Sequence, residues 1–180
     1  MRKKGNSGKP GGSREKDFLL SGFIESSPIP AFVINSDHVV THWNRALQRL
    51  SGISAPDVIG TKMHWRAFYS RERPCMADLL VDSAMDKVPK WYSGKYQESD
   101  LMEEAYIATD FFPDLGEKGR WLKFTAAVIR DAEGLLFGAV ETLEDITEQK
   151  VAEEKIRKAA GKTTAEFHGA SRLLLRRSFL

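Results

Sequence analysis

Residues 120–147 read RWLKFTAAVIRDAEGLLFGAVETLEDIT, and this stretch decides the fold. Arg120 to Arg130 is rich in aromatic and β-branched residues, which suit the pleated surface of a strand. Asp131-Ala132-Glu133-Gly134 is a turn, with Gly134 free to take the positive φ such turns need. Leu135 to Leu143 is a second strand. Glu144, Asp145, Ile146 and Thr147 then stop the sheet, and Glu148 to Lys158 reads as a helix.

Working outward, Asp17 to Ser26 predicts a short amphipathic helix, with Leu19, Leu20, Phe23 and Ile24 at helical spacing and Pro28 and Pro30 ending it. Ile29 to Asn35 and Val39 to Trp43 predict a hairpin around Ser36-Asp37. Asn44 is a suitable N-cap for a helix over Arg45 to Leu50, and Gly52 supplies the left-handed residue that ends it. Ala55 to Ile59 is one more helical turn. Between residues 61 and 104 the chain carries a long insert. There Arg73 to Val81 reads as a helix with Pro74 at its first position, and Ser99 to Glu104 as a further helical turn. Tyr106 to Phe112 is the third strand, and Pro113 to Gly119 the loop to the fourth.

Four short motifs in this order resemble a PAS domain. Pro28-Ile29-Pro30-Ala31 is similar to that family's opening strand, Asn44-Arg45-Ala46 to the start of its first core helix, Ile59-Gly60 to its corner, and Asp145-Ile146-Thr147 to the motif that closes its last strand. The resemblance covers roughly residues 17 to 150. It implies an α+β fold, a five-stranded antiparallel sheet with helices on one face. An N-terminal flanking helix and a C-terminal signalling helix complete it. The chain then divides into a basic tail at 1–16, a sensor domain at 17–147, and a signalling helix, linker and tail at 148–180.

The 180 residues carry a net charge of +2, which hides an uneven distribution. Residues 1–16 hold six Lys/Arg against one Glu, and residues 150–180 eight against three, a net of +5 in each. Residues 17–149 carry a net of −8. The N-terminal tail is Gly/Ser/Lys/Pro-rich, the composition of a disordered segment. It has no aromatic residue to stack on bases, so nucleic acid is not an expected partner. No signal peptide pattern opens the chain, and no apolar run approaches the roughly 20 residues of a membrane span. The expected location is the cytoplasm.

Domains of the PAS family hold ligands between the helical side and the sheet. The insert offers His64, Trp65, Phe68, Tyr69, Cys75, Trp91 and Tyr92. The sheet offers Trp121 or Leu122, and Phe124 or Lys123, depending on which face points inward. Such a lining suits a flat or aromatic molecule among unknown small molecules, and equally a filled hydrophobic core. His64 has the chemistry of an axial haem ligand, or of a hydrogen-bonded structural histidine. Cys75, the single cysteine, lacks the N-C-R-F-L-Q context of light-sensing members, so photoactive flavin is not expected. It reads as a small buried hydrophobe. His38 and His42 fall in residues that read as strand, and no zinc-ligand spacing is present, so no metal is expected.

Catalytic motifs are lacking as well. There is no G-x-x-x-x-G-K, no G-x-S-x-G and no H-E-x-x-H. The expectation is a non-catalytic module of bacterial signal transduction, such as the input domain of a two-component sensor kinase or of a cyclase. It would bind a ligand, or form a homodimer through its N- and C-terminal helices, and drive an effector domain or partner kinase outside this chain. Asp145, Ile146 and Thr147 would transmit the signal. Ala152, Ile156 and Ala159 form a narrow helical seam. His168 does not sit in a phospho-acceptor pattern, and the Leu173-Leu174-Leu175 end suits a linker or a membrane surface. The alternative is a stand-alone cofactor-binding protein, for instance one that holds haem.

Overall fold

The turn after Arg130 forms as its residues dictate. The Asp131 carboxylate accepts the backbone N–H of Glu133 at 3.1 Å and of Leu135 at 2.8 Å, and Gly134 takes φ 83°. The computed structural model describes residues 21–160. Around this turn β5 (Arg120–Arg130) and β6 (Leu136–Asp145) form the long strands of the sheet. Before them come α1 (21–26), β1 (Ala31–Asn35), β2 (Val40–Trp43), α2 (Arg45–Ser51) and α3 (Ala55–Val58). The insert contributes a 3₁₀ turn (His64–Ala67), α4 (Met76–Val81), a second 3₁₀ turn (Met85–Lys87) and α5 (Val88–Tyr92). Strands β3 (Tyr96–Glu98) and β4 (Ala105–Phe112) follow, and α6 spans 147–160.

The sheet is antiparallel with strand order β2-β1-β6-β5-β4-β3. It therefore has six strands where the sequence reading expects five. The addition is the short edge strand β3, paired to β4 through Tyr96↔Ala108 and Glu98↔Tyr106. One half-buried residue followed by two exposed ones leaves no alternation to read, and only the pairing defines the strand. Ser99 to Glu104, expected as a helical turn, is the loop of that β3–β4 hairpin, with Glu104 at φ 52°. Pro74 lies before the helix it was expected to open. Cys75 is the N-cap of α4, in extended conformation. His38 leaves the expected strand for the β1–β2 turn at φ 64°, where the Asn35 side chain accepts the N–H groups of Asp37 and Val39. Leu19 and Leu20, the tail 1–16 and the segment 161–180 with His168 lie outside the described residues.

Asn44 anchors the first helix and the first strand together. Its Oδ1 accepts from the N–H of Leu47 and of Ala31, both at 3.0 Å, and its Nδ2 donates to the carbonyl of Ile29 at 2.8 Å. Gly52 closes α2 at φ 74°. Register across the centre of the sheet is held by a close approach, since a Cβ at Gly138 would lie 2.0 Å from the Ile34 carbonyl oxygen.

The inward face of β5 is now defined. Leu122, Phe124 and Ala126 are buried, while Trp121 meets Phe111 of β4 in a tilted pair at 5.5 Å. Between sheet and helices runs a continuous series of rings. Trp43 meets Phe32 at 5.7 Å, Phe32 meets Phe68 at 6.2 Å, and Phe68 meets Phe112 at 5.9 Å. Phe112 meets Phe124 at 6.1 Å and Phe124 meets Tyr92 at 5.4 Å. Tilted and edge-on pairs at these distances suit the ring quadrupoles, and with Leu47, Met76, Leu79 and Leu122 they form one core.

Candidate functional site

The polar centre of the domain is built on Asp78, in the first turn of α4. Its Oδ2 accepts the N–H of Cys75 at 2.8 Å, closing the helix N-terminus, and also faces Nε2 of His64 at 2.8 Å. Its Oδ1 faces Nδ1 of His38 at 2.8 Å, and the other nitrogen of that ring faces Asp82 at 3.0 Å. One carboxylate thus ties together the β1–β2 turn, the 3₁₀ turn and α4. Burial opposes its charge, but the hydrogen bond and charge of His64, with the hydrogen bonds of His38 and the Cys75 N–H, outweigh this and hold it below the usual carboxylate range. His64 is 2% exposed, and its Nδ1 has no hydrogen-bond partner among the described residues.

A second buried carboxylate enters from the sheet. Glu141 of β6 is opposite Phe32 in β1 and accepts the N–H of Ala77 in α4 at 2.9 Å. Burial, with the nearby charge of Asp78 adding to it, pushes its carboxyl up to about 8 against the stabilising N–H bonds of Ala77 and Met76. Burial, then the charges of Glu141 and Asp78, push the Cys75 thiol up as well. Such opposed shifts are typical of groups crowded into low dielectric.

His38, His64 and Asp78 line one wall of an open cleft of about 450 Å³, with Trp65, Arg73 and Trp91 around it. The Arg73 guanidinium lies 4.1 Å from the ring of Tyr69, 4.8 Å from Trp91 and 5.2 Å from Tyr92, a cation held by three aromatic faces. Its Nε and Nη2 are buried without a hydrogen-bond partner among the described residues.

The residues expected at a ligand pocket therefore divide. His64, Trp65 and Trp91 reach the cleft. Tyr69 and Tyr92 join Trp91 around Arg73, and their hydroxyls face each other at 3.3 Å. Phe68 and Phe124 belong to the ring series of the core. The Nε2 edge of His64, which an axial haem ligand would need, faces Asp78. Sequence reasoning missed Asp78, Glu141 and Arg73. The one available signal was an acid three residues into a helix after its N-cap, the spacing of a capping box. At the last residue of β6, Asp145 Oδ1 accepts the N–H of Thr147 at 3.0 Å and its hydroxyl at 2.5 Å. On α6 the seam residues Ala152, Ile156 and Ala159 are exposed.

Residues 24–151 match the family described as the PAS fold. No curated protein matches the chain. Among solved structures it is similar to an RNA-binding light-oxygen-voltage receptor, at 15% identity and TM-score 0.53, covering 88% of this chain and 41% of that one. It is also similar to the PAS domain of BvgS from Bordetella pertussis, at 16% identity and TM-score 0.51, covering 81% of this chain and 98% of that one. At these identities the likeness is one of fold.

Proposed function

The chain belongs to the PAS-fold family, and from that premise we propose that it is a sensory module of bacterial signal transduction acting in the cytoplasm. In this reading residues 17–147 are a non-catalytic sensor that binds a small ligand, forms a homodimer, or both. Residues 148–180 carry the resulting conformational change to an effector of kinase or cyclase type. The cleft beside His64, Trp65 and Trp91 is the ligand's entry. The exposed seam of Ala152, Ile156 and Ala159 is the contact with a second copy.

One observation carries the reading, the hydrogen bond from Ala77 of α4 to Glu141 of β6. Helix α4 presents Asp78 to the cleft, and β6 runs on to Asp145 and Thr147. A ligand that favours one position of α4 therefore acts on the strand that leads out of the domain. It shifts the equilibrium by its differential affinity for the two arrangements. Among the described residues no helix is long and apolar enough to cross a membrane.

Native mass spectrometry of the purified chain, with its absorption spectrum, tests the proposal. A retained small molecule or a dimer supports it. A ligand-free monomer at all concentrations, unchanged by screening a metabolite library, overturns it.

A further inference from the structure

We propose that His64, Cys75 and Asp78 form a binding site for a divalent transition-metal ion of the zinc class. One donor atom from each of these buried side chains lies within 4.8 Å of the other two. The set combines an imidazole nitrogen, a thiol sulfur and a carboxylate oxygen, the donors that borderline-soft ions prefer. With bonds of about 2.0–2.1 Å, nitrogen and oxygen donors of a tetrahedral ion stand about 3.3 Å apart. His64 Nε2 and Asp78 Oδ2 stand 2.8 Å apart, so a widening of roughly half an ångström seats the ion.

The surroundings orient the carboxylate of the set. Asp78 offers its inner oxygen to His64 while His38 holds the outer one at 2.8 Å, and Asp82 in turn fixes the far side of His38 at 3.0 Å. Partners of this kind orient metal ligands and are worth about 10- to 100-fold in affinity. The Nδ1 of His64 has no hydrogen-bond partner among the described residues. Nothing on that side pins the tautomer, and the ring proton resides there when Nε2 gives its lone pair to the ion. A divalent cation deprotonates a coordinating thiol. The S–H bond breaks, the metal–sulfur bond forms, and one proton leaves to solvent. Nitrogen and oxygen donate lone pairs, and no group changes oxidation state. His64 and Asp78 also line the open cleft, which gives the ion a path in. Three protein donors leave a fourth position for water or a ligand atom.

Cobalt(II) is the probe. With a single cysteine in the chain, a thiolate-to-cobalt charge-transfer band reports Cys75 alone. The full chain, stripped with a chelator and titrated with Co²⁺, is expected to show that band in the near ultraviolet. The band saturates at one ion per chain with release of about one proton, and Zn²⁺ bleaches it. Cys75→Ser loses the band, His64→Gln and Asp78→Asn weaken binding at least 10-fold, and His38→Gln weakens it by about 10- to 100-fold. His42→Gln leaves it unchanged. A wild-type chain that is folded by circular dichroism and gives no band at millimolar Co²⁺ overturns the proposal without any variant. A band undiminished in folded His64→Gln and Asp78→Asn overturns it equally.

Discussion

Glu141 and Ala77 are 64 residues apart in the chain and 2.9 Å apart across a buried hydrogen bond. The acceptor belongs to the strand that leads out of the domain, the donor to the short helix beside the cleft. Because the carboxyl is displaced to about 8 from its ordinary 4.5, the folded chain keeps a proton that the unfolded chain loses between those values. This group therefore stabilises the fold most fully below pH 4.5, and the contribution is lost as pH rises through about 8. The slope is at most about 1.4 kcal/mol per pH unit. Urea unfolding from pH 5 to 9 is expected to show a fall in stability that Glu141→Gln abolishes. An equal slope in the variant refutes the assignment.

Asn44→Ala removes more than a helix cap. The side chain also joins α2 to β1 and to the segment before it, through Ala31 and Ile29, and it is fully buried. A cap alone is worth about 1 kcal/mol, and stranded buried partners add about 1–3 kcal/mol. The expected loss is about 3 kcal/mol in urea unfolding, with Asn44→Asp recovering the cap to Leu47 but not the bond to Ile29. A loss no larger than that of an ordinary cap counts against this.

Gly138→Ala tests the contact between β6 and β1. Its added methyl meets the Ile34 carbonyl oxygen at 2.0 Å, and backbone on both sides must move. Overpacking of this kind destabilises by about 1–3 kcal/mol. An unchanged denaturation midpoint shows that the two strands have room to separate.

Asp145→Ala removes the bonds to the Thr147 N–H and hydroxyl, a local capping effect of about 1 kcal/mol. Far-UV circular dichroism is expected to stay unchanged, while an effector fused after residue 180 stops responding to the input. Loss of the folded spectrum, or a response that persists, contradicts the role given to Asp145.

The fold was legible where local chemistry and pattern agree. The hairpin of residues 120–143 announces itself by β-branched residues around a Gly134 turn, and α2 by Asn44 and Gly52. Edge strand β3 was not, because a pairing made through backbone to Ala108 and Tyr106 leaves no mark on three polar or half-exposed side chains. The site was less legible still. His64 and Cys75 were visible as residues, but Asp78 binds them together only after α4 folds against the 3₁₀ turn. His38 reads as strand because Val39 and Val40 follow it, and its reach to Asp78, 40 residues on, depends on a left-handed backbone that its residue type does not demand. Glu141 carries no local mark in the sequence, because its burial follows from α4 packing against β6 through Ala77.

The sheet order sets β1 beside β6, with Ala31 paired to Thr142 and the Leu143 N–H bonded to the Pro30 carbonyl at 2.8 Å. The polypeptide thus enters the first strand and leaves the last at the same pole of the sheet, a few ångströms apart. A fold with adjoining entry and exit can be spliced into a host sequence, or repeated in tandem, without stretching what lies on either side. This geometry makes the domain a portable cassette, and it makes a circular permutant, cut at the Asp131–Gly134 turn and sealed across that pole, a practical object to build.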